Sequence, residues 1–179
     1  MKKILLIFFI LTLTACSKKT TIKTPNEILL SIKDYSCEIQ ISYFSNKNTT
    51  TYIAKQNYSS LGKYEMEFID KENLKITYDN STLNISSSPL SSSIGINNFK
   101  ELNQNPLFLS YFINTYFNLE NQNNVKISEN SISITMPNYN QYIHSAKLTF
   151  KNNLPHTLSY FDVNGNEKVN IIYNEFTFI

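Results

Sequence analysis

From residue 37 to the C-terminus, apolar side chains recur on alternate positions, the pattern of pleated sheet with one greasy and one wet face. Ile39, Ile41 and Tyr43 alternate with Gln40 and Ser42; Tyr64, Met66 and Phe68 alternate with Glu65 and Glu67; Leu74, Ile76 and Tyr78 alternate with Lys75 and Thr77. The period continues through Ile132/Ile134/Met136, Ala146/Leu148/Phe150 and Val169/Ile171/Tyr173, with shorter runs at 83–85, 125–127, 158–160 and 176–178. Turn formers stand between the runs: Asp79-Asn80, Glu129-Asn130, Asn152-Asn153 and Asn164-Gly165. Asn-Gly is the strongest two-residue hairpin signal among them. With a less regular strand at 50–58, the pattern predicts about ten antiparallel strands in meander order. A chain of 179 residues can bury a real core as one domain. Its 12 Phe and 12 Tyr set it apart from the composition of disordered chains.

Three segments depart from the period of two. Thr24-Pro25-Asn26-Glu27 is a helix start: Thr24 at the N-cap, Pro25 at the first helical position and Glu27 completing a capping box. Ile28, Leu29, Ile32 and Tyr35 then repeat at helical spacing and predict one buried face. Residues 106–120 predict a second helix, apolar around most of its circumference: Leu107, Phe108, Tyr111, Phe112, Tyr116 and Phe117, with only a narrow polar stripe at Ser110, Asn114 and Asn118. Such a helix has to be enclosed on most sides. It therefore reads as a hydrophobic plug. The third segment, 86–99, is rich in Ser and reads as a mobile small-residue loop. The predicted fold class is mainly β (α+β): a curved antiparallel half-barrel of about ten strands, with two helices in its concave mouth.

The N-terminus predicts a location. Met1-Lys2-Lys3 is a positive n-region, residues 4–11 are apolar, and Leu13-Thr14-Ala15-Cys16 resembles the bacterial lipobox. The apolar run is too short to span a bilayer and reads as a signal h-region. The expected organisation is a lipoprotein signal peptide at 1–15, a lipidated Cys16 with its tether at 16–24, and a single domain at 25–179. Diacylglyceryl and palmitoyl chains on Cys16 would hold the protein at an extracytoplasmic membrane surface, since two or more chains anchor stably. Loss of Lys2 and Lys3 leaves the mature chain with as many acids as lysines. Lys18, Lys19 and Lys23 cluster where the tether would meet lipid, and read either as a surface attraction of about 1 kcal/mol each or as an ordinary solvated tether.

Catalytic chemistry has little to stand on. All 16 basic residues are Lys, and the missing Arg counts against phosphate or nucleic-acid recognition. With Cys16 acylated, Cys37 is the lone thiol, at the start of a strand and without a local base; it reads as a small buried apolar side chain. His144 and His156 stand twelve apart with no Cys, His or Asp at metal-ligand spacing. The three glycines form neither a phosphate loop nor a nucleophile elbow. Glu65 and Glu67 share a strand face, as an acid–base pair would, but the sequence around them supplies nothing to raise one pKa. The reading is a non-enzyme with no metal and no cofactor of its own.

The order of elements resembles the LolA/LolB superfamily of half-open β-barrels. The resemblance lies in the first helix, in Gly62-Lys63-Tyr64-Glu65-Met66-Glu67-Phe68 followed by Leu74-Lys75-Ile76-Thr77-Tyr78-Asp79-Asn80, and in the aromatic helix mid-chain. Together with Ser31-Ile32-Lys33-Asp34-Tyr35-Ser36-Cys37 and the lipobox, these segments are most similar to the GerS-type germination lipoproteins of spore-forming clostridia. That resemblance implies a non-catalytic lipoprotein required for germination. During sporulation it would bind and activate a zinc-dependent cortex peptidoglycan amidase of the CwlD type, the zinc being the amidase's. It would sit on the forespore outer membrane or in the intermembrane space. An open sheet edge could also make a strand-exchanged homodimer. The alternative, from the wider superfamily, is a carrier or acceptor of lipid or lipoprotein acyl chains in the concavity.

Overall fold

The computed structural model describes residues 23–70, 74–79, 82–87, 92–96, 105–119, 122–140 and 143–179. The signal peptide, Cys16 and most of the tether, Asn80 of the predicted turn, and the remainder of the Ser-rich stretch lie outside the described residues.

Among the described residues one antiparallel sheet of eleven strands carries the molecule. Its strands are β1 Tyr35–Phe44, β2 Thr49–Ser59, β3 Lys63–Phe68, β4 Lys75–Asp79, β5 Thr82–Ser87 and β6 Ser92–Ile96, then β7 Val125–Ser128, β8 Ser131–Asn140, β9 Ile143–Lys151, β10 Leu154–Phe161 and β11 Glu167–Phe178. The order β6-β5-β4-β3-β2-β1-β11-β10-β9-β8-β7 is two meanders joined where the first and last strands pair. The sheet has one strand more than the sequence reading. β6 lies in the stretch expected to be a loop, where Ile94 and Ile96 keep the period of two but Ser93 and Gly95 hide it. Gly95 faces Asn84 across the pair, and a Cβ there would stand 3.1 Å from the Asn84 side-chain oxygen.

The inward residues are those the alternation marked. Ile39 and Ile41 of β1, Ile132 and Ile134 of β8, Leu148, Leu158 and Ile171 are all sealed from solvent. One bulge corrects the phase of β11. Its register against β1 shifts between Ser36 and Glu38, and Glu175 takes a positive φ of 49°. The extra residue turns Phe176, rather than Glu175, into the core.

Helix α1, Pro25–Ser31, has the predicted capping box: Thr24 N–H donates to Glu27 Oε2 at 2.7 Å and Glu27 N–H to Thr24 Oγ1 at 3.3 Å. It ends earlier than its spacing suggested. Ile32 is already extended, and Tyr35 belongs to β1, its ring nonetheless in the core. α1 lies across one end of the sheet. Lys23 N–H donates to Asn153 Oδ1 in the β9–β10 turn, and beyond the helix the Asp34 carboxylate accepts from Ser60 N–H and Oγ in the β2–β3 turn. Helix α2, Leu109–Phe117, is nine residues long, shorter than the 106–120 segment read as helical.

Candidate interaction surface

The mouth of the curved sheet is filled by the start of α2. Phe108, Leu109 and Phe112 are buried completely, Leu107, Tyr111 and Tyr116 are half-buried, and Phe117 at the far end is 47% exposed. The Phe108 ring meets Tyr64 edge-on, with centroids 5.3 Å apart. The plug therefore tapers from a sealed N-terminus to a wet C-terminus, where the Tyr116 hydroxyl donates to Asn26 Oδ1 of α1.

The N-cap residue of α2, Phe108, has no side chain able to cap, so the first helical N–H groups need partners from elsewhere. The sheet supplies one for Leu109 and engages the groups on either side of it. Tyr35, fully buried on β1, donates its hydroxyl to Gln56 Oε1 at 2.7 Å and accepts from the Leu109 N–H. Gln56, fully buried on β2, donates Nε2 to the Leu107 carbonyl at 3.1 Å. The Ser110 hydroxyl bonds Tyr64 on β3. Burial holds the Tyr35, Tyr160 and Tyr173 hydroxyls well above the ordinary tyrosine range, so this interior stays uncharged. Sequence reading missed Gln56. Its signal was a polar residue on the apolar phase of β2, between Ala54 and Tyr58.

The residues singled out for chemistry are scattered. Cys37 is buried, and desolvation pushes its thiol up to about 12, far from a thiolate at neutral pH. His144 lies at the start of β9 and His156 at the start of β10, at opposite ends of that hairpin. Glu65 is paired with Lys75 at 3.0 Å and accepts from Asn57 Nδ2 at 3.4 Å. Among the described residues no group of three His, Cys, Asp or Glu is placed to hold a metal ion.

What remains is surface. Along one cross-strand row, Gln56, Met66, Ile76, Ile85 and Ile94 lie side by side on β2 to β6. Burial fades outward along it, from nothing exposed at Gln56 to 62% at Ile94. The neighbouring row ends the same way, through Tyr58, Tyr64, Tyr78 and Leu83 to Ile96 at 42%. An open cleft of about 440 Å³ runs beside those tyrosines, with Asn84 and Ile179 at its border. Among the described residues β6 is the last strand on this side, and it carries no charge. Natural edge strands are usually blunted by Lys or Pro, so an uncharged edge behind an apolar face is suited to pairing. On the opposite wing, Tyr116, Phe117, Leu119 and Ile127 line a second groove of about 440 Å³ beside β7, whose edge does carry a lysine, Lys126.

Comparison with known proteins decides the family. The family model described as sporulation protein YdcC-like matches residues 1–178. The chain belongs to the YdcC-like sporulation proteins. No curated protein matches its sequence. Among solved structures, this YdcC-like fold is shared with the GerS lipoprotein, solved in complex with the CwlD amidase from Clostridioides difficile. That match has a TM-score of 0.54 at 20% identity, over 86% of this chain and 91% of that one. An uncharacterised conserved protein from Thermus thermophilus matches at a TM-score of 0.54 with 8% identity, over 86% of each chain. The LolA superfamily protein NE2245 from Nitrosomonas europaea is a looser neighbour, at 0.40 and 10% identity over 88% and 94%. At these identities the likeness is one of fold.

Proposed function

We propose that this YdcC-like protein is a non-catalytic, lipid-anchored partner of a cortex peptidoglycan amidase of the CwlD type, which it activates during sporulation for later germination. One observation carries the reading: a chain of a sporulation family has the fold of GerS, which was solved bound to the CwlD amidase. The anchor is the acylated Cys16 of the lipobox, on the extracytoplasmic side of the membrane. Activation needs only differential affinity: a partner that binds the competent amidase more tightly than the incompetent one shifts the population by that ratio. The exposed wing at β4 to β6 is the surface suited to the task, and any zinc belongs to the amidase. The filled mouth favours an adaptor over an acyl carrier.

Co-expression of the full chain with the cortex amidase of the same cells tests this. The two are expected to co-purify, and amidase turnover of cortex peptidoglycan is expected to rise when the chain is present. Separate elution with unchanged turnover would overturn the reading; co-elution without a rise would leave a partner and remove the activator. Mass spectrometry of the intact protein reads the anchor, through a diacylglyceryl mass that Cys16→Ala abolishes. It also reads the carrier alternative, through stoichiometric lipid retained by the folded domain.

A further inference from the structure

We infer that the end of the sheet crossed by α1 is a bilayer-apposed surface, with Leu61, Phe178 and Ile179 as its apolar contacts. The inference rests on the lipid anchor proposed above. Seven residue steps separate Cys16 from Lys23, so the tether spans at most about 25 Å even when fully extended. As a flexible coil it would average about 15 Å. Lys23 is pinned to Asn153, at the end of the sheet where β9 turns into β10. An acylated Cys16 therefore keeps that end, and not the far one, close to the membrane.

The same end carries the two most exposed large apolar side chains among the described residues, Leu61 at 80% and Ile179 at 79%, with Phe178 at 46%. They converge on Asp34. Its carboxylate holds Ser60, the neighbour of Leu61, and its carbonyl accepts from Ile179 N–H at 3.2 Å. Leu30, 59% exposed, faces outward from α1 four residues earlier. Branched aliphatic side chains standing in water at loop tips cost free energy that insertion among lipid headgroups and acyl chains recovers.

Beyond the tether lysines, the charged side chains described at this end nearly balance and neither drive nor oppose the contact. Lys23, Lys33, Lys63 and Lys151 are exposed at this end. The acids there are Glu27, bonded to Thr24, Asp34, bonded to Ser60, Asp79, paired with Lys63 at 3.5 Å, and Glu129. The apposition is apolar and is expected to survive added salt, unlike a purely basic patch. It stands the strands upright on the membrane and leaves the β6 edge facing sideways, open to a partner tethered to the same surface.

The test uses the lipidated full chain in phosphatidylethanolamine–phosphatidylglycerol vesicles, with a polarity-sensitive fluorophore on Leu61→Cys or, at the far end, Val163→Cys. Buried Cys37 and acylated Cys16 leave the introduced thiol as the reactive one. The probe at 61 should emit at shorter wavelength and be quenched by spin-labelled lipid about threefold more than the probe at 163. Adding Ile179→Asp should roughly halve that quenching while the protein still floats with the vesicles. Equal quenching at both sites, or a water-like probe at 61 on vesicle-bound protein, overturns the surface and leaves the anchor standing. Failure to float, with Cys16→Ala behaving like the parent, removes the anchor and this surface with it.

Discussion

The centre of the sheet and its β4–β6 wing use the same pattern of alternating apolar residues and come to opposite ends. At the centre, the Tyr35, Ile39 and Ile171 side chains are sealed from solvent. On the wing, Ile76 and Ile85 are half-covered and Ile94 stands 62% in water. Pleating decides which face is apolar; it does not decide what covers that face. Part of the cover comes from one short helix wired to β1, β2 and β3 through Tyr35, Gln56 and Tyr64, and part from Ile28 and Leu29 of α1. The outer part of the wing, where Ile94 and Ile96 are exposed, is therefore the part of the described sheet suited to being completed by a partner.

Truncating one residue in each region sharpens the contrast most. Phe112 is fully buried in the plug, and Phe112→Ala is expected to cost about 3–5 kcal/mol in a urea titration, through lost transfer energy and the cavity left behind. Ile94→Ala on the wing should stay within about 0.5 kcal/mol, as exposed substitutions do. Yet Ile94→Ala should weaken capture of the amidase, which Phe112→Ala alters only through unfolding. Equal stability costs at the two sites would erase the distinction between covered and uncovered sheet.

A smaller effect is expected at Gln56. Replacing it by Leu keeps the bulk but leaves the Tyr35 hydroxyl without its acceptor and the Leu107 carbonyl without its donor. Each stranded group costs about 1–3 kcal/mol when buried. Tyr35→Phe removes the hydroxyl that donates to Gln56 Oε1 and accepts from Leu109 N–H. The two substitutions share a bond, so the double variant should fall short of the sum, with a coupling of about 0.5–3 kcal/mol. Additive losses would mean that the seam does not act as a unit.

Much of the fold was legible in the sequence, because faces and caps are local. The alternation, with the less regular run at 50–58, placed ten of the strands, and Thr24 to Glu27 placed α1. Even the bulge left a trace, since the apolar phase jumps from Tyr173 to Phe176 across an odd interval. β6 was missed because strand pairing by Ser and Gly is a backbone matter, settled by the neighbouring β5 rather than by side chains. The plug helix was read too long because apolar residues at 107, 108 and 119 are buried or half-buried without being helical. Gln56 was invisible as a site. A buried Gln is explained only by its partners, here 21 and 51 residues away in the chain. The exposed wing could not be read at all, since alternation marks which face is apolar and not what covers it.

The smallest expected effect contrasts two hairpin ends. In the β10–β11 turn, Asp162 is 7% exposed and accepts from the Asn164 and Asn166 N–H groups, from Asn166 Nδ2 and from Lys168 Nζ at 3.2 Å. Those donors, the Asn166 side chain foremost, hold its carboxyl down at about 2. An aspartate in the unfolded chain titrates near about 3.9, so the folded chain binds this proton less tightly. Its stabilising contribution is therefore complete above about pH 5 and is lost as the pH falls through 4 towards 2. The gap in melting temperature between parent and Asp162→Asn should be widest at neutral pH and close on acidification. On the wing, the Lys63–Asp79 pair spans 3.5 Å between side chains that are 62% and 52% exposed, and Lys63→Met should cost less than about 0.5 kcal/mol. If the Asp162→Asn gap persisted at pH 2, the turn would be held by its backbone alone, and this difference between the two halves would vanish.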